Sequence, residues 1–157
     1  MEEDGVYEDK LRRTMREREI PAELLVFSQS CHSVAEAAKA AGVTHADFVK
    51  NVCMVSDDGT LIVAIVNGED WASTSRVAKL LNAESVRIAS PEEILERTGY
   101  PCGGTPSFGY EACFFVDDKV PVMAVAYTGG GSERALVRID PHDLIAANGA
   151  QVSRIRR

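Results

Sequence analysis

Two features of this chain have the residue types that chemistry needs. One is Lys50, in DFVKNVCMV (47–55), a lysine among apolar and β-branched neighbours. The other is TGYPCGGTPSFGY, Thr98 to Tyr110, thirteen residues with four glycines, two prolines and almost no charge. Glycine lets backbone amides approach a ligand with no Cβ in the way, and proline holds a loop against collapse. Such a loop can present N–H groups to a carboxyl oxygen or a developing oxyanion. It is not a Walker loop, because no Gly-Lys-Ser/Thr follows, and not a dinucleotide fingerprint, because a strand pattern follows where a helix should open. Its alternative is a structural turn. Strand alternation puts Val49 and Asn51 on one face and Lys50, Val52 and Met54 on the other, so Lys50 is either a strand-edge lysine or one directed into a pocket.

Cysteine chemistry is the competing possibility. Cys102 in the loop could act as a nucleophile with His32, His45 or His142 as base, which requires a spatial adjacency that spacing does not give. Packing as a small loop residue is the simpler expectation for Cys102, and a surface position the simpler one for His142. The four cysteines, Cys31, Cys53, Cys102 and Cys113, form no C-x-x-C pair, so buried thiols are expected and no zinc or redox site. Asp57, Asp58, Asp117 and Asp118 fall at turns between strand patterns and look like turn chemistry. No metal and no cofactor is expected.

The elements that must position these residues follow from periodicity and punctuation. Apolar positions among charges predict a helix over 6–20, ending at Pro21, and LLVFS a strand. SVAEAAKAAG predicts a helix stopped by Gly42. FVKNVCMVS and TLIVAIVNG, separated by DDG, predict a hairpin. STSRVAKLLN is a helix with a hydroxyl cap and VRIA a short strand. SPEEILERTG carries Ser90 as cap, Pro91 in the first turn, Glu93 to complete a capping box and Gly99 as stop. YEACFFVD and VPVMAVAY across DDK predict a second hairpin, followed by strand RALVRID, helix DPHDLIAANG and strand QVSRIR. Hairpins mixed with helices predict a mixed or mostly antiparallel sheet. No linker, repeat or composition shift divides residues 1–157, which are expected to form one α/β domain.

Composition narrows the function classes. The 157 residues carry a formal net charge of −7, which argues against DNA or other duplex nucleic acid held by broad phosphate neutralisation but allows a small cationic pocket for one nucleotide. The basic tail RIRR, Arg154 to Arg157, could touch a polyanion or be solvated. No long uncharged apolar run exists and the acidic start MEEDGVYEDK does not suit a signal peptide, so no membrane association and a cytoplasmic location are expected.

Four colinear segments, SCHSVAEAAKAAGV, FVKNVCMV, TGYPCGGTPSFG and YTGGGSERALVRID, together resemble the YbaK family, which includes the editing domain inserted in bacterial prolyl-tRNA synthetases and its free-standing relatives. The resemblance runs from Val26 to about Leu144. It implies an α/β domain with a mixed, partly closed β-sheet flanked by helices, and deacylation in trans of a mischarged small amino acid, alanine or cysteine on tRNA for proline. It implies a tRNA acceptor end as partner and a synthetase as a further one. By the same resemblance Lys50 matches the family's key lysine and is expected to be catalytic, binding the terminal nucleotide; because an aminoacyl ester is already activated, the backbone of Gly103 and Gly104 could then supply oxyanion stabilisation for attack by a positioned water. His32, Asn51, Thr105, Pro106, Ser107 and Gly130 contact substrate. The family's G-x-x-x-P loop aligns with Gly103 to Ser107, where Ser107 holds the usual proline position and Pro106 comes one residue early. That departure either retunes the side chain the pocket admits or weakens activity. The alternative is a non-catalytic module on the same fold that binds a tRNA end or a small ligand.

Overall fold

The computed structural model describes residues 2–31 and 33–157. In chain order these form α1 (Glu2–Glu17), β1 (Ala22–Val26), α2 (Val34–Ala41), β2 (Val49–Ser56), β3 (Leu61–Asn67), α3 (Thr74–Leu81), β4 (Val86–Ile88), α4 (Pro91–Thr98), β5 (Cys113–Asp117), β6 (Ala126–Gly129), β7 (Ala135–Ile139), α5 (Pro141–Asn148) and β8 (Gln151–Ser153). Helix ends follow the cap chemistry. Ser33, Ser73 and Ser90 each accept an amide of the first turn, Ser90 and Glu93 close a reciprocal capping box, and Gly42, Gly99 and Gly149 end their helices in the left-handed region. The first helix starts earlier than the 6–20 pattern suggests, and it ends earlier because Glu19 takes a positive φ of 52° and turns the chain before Ile20.

The strands make two sheets. One has the order β1-β7-β6 and is antiparallel; the other has the order β4-β2-β3-β5-β8 and is mixed, with β3–β5 and β5–β8 parallel. The expected mixed character is present, but the expected partial closure is not: each sheet is open. They meet where Phe48, just before β2, bridges Tyr127 of β6.

The predicted hairpin of YEACFFVD with VPVMAVAY does not form. Instead β5 lies parallel to β3 in the larger sheet, and β6 pairs with β7 in the smaller one. Two sequence features explain this. All of β3 and Phe114–Asp117 of β5 are buried, as expected for strands covered on both faces in a parallel arrangement. Pro121 interrupts VPVMAVAY and cannot donate to a ladder, so the strand begins only at Ala126.

The β2–β3 hairpin forms as expected, with Lys50 opposite Val66 and Asn51 opposite Ile65. Its two faces serve two cores. Val49, Cys53 and Val55 join the main core with Leu11, Tyr100, Phe108 and Val137. Met54 and Val52 face a second cluster with Val77, Phe115 and Ile155. Lys50 and Asn51 therefore leave the strand in opposite directions. Burial of the thiols is partial: Cys31 and Cys53 are buried, Cys113 is half-buried and Cys102 is exposed on the loop. Among the described residues no helix is long and apolar enough to cross a membrane.

Candidate functional site

The glycine-rich loop is held on almost every side. The Gly104 amide and the Thr105 hydroxyl both donate to the Pro101 carbonyl, at 3.0 Å each. The Gly104 carbonyl accepts from Gly131 N–H at 2.7 Å, Pro106 from the Tyr110 hydroxyl at 2.6 Å, and Ser107 from Asn148 Nδ2 at 2.9 Å. Asn51 completes the set. Its Nδ2 donates to the Thr105 carbonyl (3.0 Å) and to Thr128 Oγ1 (2.8 Å), while its Oδ1 accepts from the Ser107 hydroxyl (2.6 Å), which also bonds Thr128 Oγ1 (2.7 Å). A loop pinned at so many atoms loses little entropy when a ligand binds.

Glycine is required where this loop meets the β6–β7 turn. A Cβ on Gly104 would lie 2.8 Å from the Gly131 carbonyl carbon and the Ser132 nitrogen, and a Cβ on Gly129 would lie 2.1 Å from the Thr105 oxygen. The two backbones touch, and this contact sets one wall of a pocket of about 180 Å³. Lys50, Asn51, Gly103, Thr105, Thr128 and Gly129 contribute polar or backbone lining, and Val34, Ala37, Phe48, Ile94 and Leu136 contribute apolar surface. The volume lies below the several hundred Å³ typical of sites for drug-sized ligands.

The predicted site residues divide on this geometry. Lys50, Asn51, Gly103 and Thr105 line the pocket; Gly104, Pro106, Ser107 and Gly130 are buried outside its lining. Ser107 is fully buried, its hydroxyl spent on Asn51 and Thr128. The Gly104 amide is not available to an oxyanion, because it already donates to Pro101. Gly103, exposed and at φ 93°, has an amide with no partner among the described residues. Asn51 has its side-chain amide committed to the loop and Thr128. Gly130 packs against Ala135, while its neighbour Gly129 reaches the pocket. His32 lies outside the described residues.

The Lys50 ammonium donates to the Asp70 carbonyl at 3.0 Å and sits 4.0 Å from the centre of the Trp71 ring. Burial lowers its pKa, opposed by the nearby Asp70 charge. The carboxylate of Asp70 pairs with Lys119 at 3.1 Å. Of the thiols, Cys31 and the exposed Cys102 line the pocket. Burial raises the Cys31 thiol, with a smaller contribution from Glu36, and pushes Cys53 up to about 12, with a smaller contribution from Cys102, so both are poor thiolates. Among the described residues no histidine lines the pocket, and none of the His, Cys, Asp and Glu side chains gather in the threes a metal ion needs.

Thr128, Gly129 and Trp71 escaped sequence reasoning. The run of three glycines after Thr128 marked a close approach without saying which glycine faces the pocket. Trp71 carried a signal, as the single tryptophan of the chain beside a helix cap.

Residues 28–147 match the model of a family described as the aminoacyl-tRNA editing domain. The proline–tRNA ligase of Acidithiobacillus ferrooxidans is 31% identical over 115 residues, which is 73% of this chain but 18% of that protein. The chain thus spans about a fifth of the ligases it matches. Two crystal structures share the fold over nearly their whole length. The hypothetical protein APE2540 has a TM-score of 0.87 and 29% identity, covering 94% of this chain and 99% of its own. A protein described as a candidate trans-editing enzyme for prolyl tRNA synthetase has a TM-score of 0.88 and 26% identity, covering 96% and 97%.

Proposed function

This chain belongs to the aminoacyl-tRNA editing domain family, and from that premise we propose that it hydrolyses the ester between a small, wrongly attached amino acid and the 3′ end of a tRNA. The observation that carries the reading is Gly103, an exposed residue lining a small pocket, whose amide has no partner among the described residues. An aminoacyl ester is already activated, so placing a water and stabilising the tetrahedral oxyanion is most of the work. Water oxygen attacks the carbonyl carbon and gives up a proton to solvent, the Gly103 N–H donates to the oxyanion, and collapse breaks the bond to the ribose oxygen, which leaves as a hydroxyl with a proton from solvent. The apolar wall of Val34, Ala37, Phe48 and Leu136 admits a small side chain. A pocket of this kind is a second sieve, needed because binding alone separates one methylene by only about 1–3 kcal/mol. Alanine or cysteine on tRNA for proline is the substrate class this supports.

Lys50 holds the terminal nucleotide through charge-assisted hydrogen bonds to ribose or phosphate oxygens. Action in trans is supported by the likeness to the candidate trans-editing enzyme along its whole length. A synthetase partner would raise local concentration, and the cytoplasm is where such substrates occur.

The test is deacylation of Ala-, Cys-, Ser- and Pro-charged tRNA for proline by wild type and Lys50→Ala, with thermal melts to verify folding. Release of one small amino acid, reduced about 10- to 100-fold in the variant as expected for losing a hydrogen bond to a charged group, supports the assignment. Full rate in a folded Lys50→Ala removes Lys50 from the site. No release from any substrate, with tRNA still bound, leaves a binding module.

A further inference from the structure

We propose that Trp71 is a stacking shelf for a nucleobase of the tRNA acceptor end, just outside the aminoacyl pocket; the proposal rests on the deacylase reading above. Trp71 is 66% exposed. Leaving so large an aromatic in water forgoes the burial that usually places it in a core. Yet it is not loosely held. Its carbonyl accepts from the Arg157 amide at 2.9 Å, the next residue, Ala72, bridges Arg156, and one ring face is covered by the Lys50 ammonium at 4.0 Å. The backbone and one side of the indole are fixed, and much of the remaining ring surface faces solvent.

Charge identifies the occupant. In a chain of net charge −7, the basic tail is brought to this one place: Arg156 is tied down by Asp117 and Asp118, which lays the tail against the Trp71 segment. The side chains of Arg154 and Arg157 are exposed and unpaired among the described residues. An aromatic ring with Lys50 on one face and an exposed arginine, Arg157, on the segment hydrogen-bonded to its backbone is the combination that binds single-stranded nucleic acid, bases stacking on the ring while cations follow the backbone. The pocket, at about 180 Å³, has room for an aminoacyl group and leaves the nucleotide on its rim, where Lys50 connects the two sites.

Trp71 is the chain's single tryptophan, so its emission reports the shelf directly. Wild-type protein is titrated with uncharged tRNA and with the trinucleotide CCA, following fluorescence and acrylamide access, while filter retention measures tRNA binding independently. The expected result is saturable quenching with both ligands and loss of acrylamide access. Trp71→Ala raises KM for aminoacyl-tRNA by roughly 5- to 100-fold, the range for losing one stacked base, with kcat held within a few-fold, and Trp71→Phe restores most of the loss. Retained tRNA with unchanged emission, or an unaltered KM in Trp71→Ala, overturns the shelf and leaves the deacylase reading standing. Neither retention nor deacylation overturns both.

Discussion

Replacing Asn51 with alanine tests whether this side chain holds the loop or holds the substrate. The structure gives it three bonds: to the Thr105 carbonyl, to Thr128 Oγ1 and from the Ser107 hydroxyl. Ser107 and Thr128 keep each other at 2.7 Å after truncation, so their hydroxyls are not stranded. The Thr105 carbonyl, on a buried residue, loses its partner. A net hydrogen bond contributes about 1 kcal/mol and an unsatisfied buried group costs about 1–3 kcal/mol, so a loss of about 2–4 kcal/mol is expected. For a domain of this size each kcal/mol lowers Tm by about 2–4 °C, which gives a drop of roughly 5–15 °C in a melt followed by circular dichroism. Activity should fall further than stability. A loop freed to shift by about 1 Å misplaces the Gly103 amide, and misplacement on that scale can cost about a hundredfold in rate. Asn51→Asp keeps an acceptor for Ser107 but sets a carboxylate against the Thr105 carbonyl, so it should lose both stability and kcat. A variant that melts with wild type and shows only a raised KM would refute the loop-holding role and make Asn51 a substrate contact.

Three further outcomes are expected. Gly104→Ala places a methyl 2.8 Å from backbone atoms of Gly131 and Ser132, so the urea midpoint should fall by an amount equivalent to about 1–3 kcal/mol or more; an unchanged midpoint would mean that the two loops are not in fixed contact. Burial alone would raise the Asp117 pKa, but the amides of Ile155, Lys119 and Arg156 and the Arg156 guanidinium outweigh it and lower it. Its stabilisation is therefore present above the unfolded value of about 3.9 and lost as pH falls through the lower folded value; the Tm gap between wild type and Asp117→Asn should be widest near neutrality and close towards pH 2, and a constant gap would exclude the charge as its source. Cys102→Ser should keep deacylation within about twofold, because a positioned water needs no thiolate, whereas a large loss of rate in a folded Cys102→Ser would assign Cys102 as the nucleophile.

Local chemistry was legible in the sequence wherever its partners were close along the chain. Ser90 with Glu93, Gly99 after α4 and the DDG turn between β2 and β3 depend on neighbours a few residues away, and they appear as the pattern implies. Alternation along FVKNVCMV fixed that Lys50 and Asn51 leave β2 on opposite faces. The bareness of the loop from Thr98 to Tyr110 also had its meaning in sequence, since only glycine allows the approach of Gly104 to Gly131.

What only the tertiary structure decided is which groups remain free. Whether an amide can donate to a ligand depends on what else takes it: Gly103 and Gly104 are equivalent in sequence, yet the Pro101 carbonyl claims one and leaves the other. Pairing distant in the chain decided the rest. Burial on both faces drew β5 to β3 and away from VPVMAVAY, and Asp117, which resembled a turn residue, anchors a tail 38 positions later. That anchor lays the basic C-terminal residues against the backbone of Trp71 and Ala72. Such contacts follow from the packing of whole sheets, where long-range burial outweighs local preference, and no spacing along the chain records them.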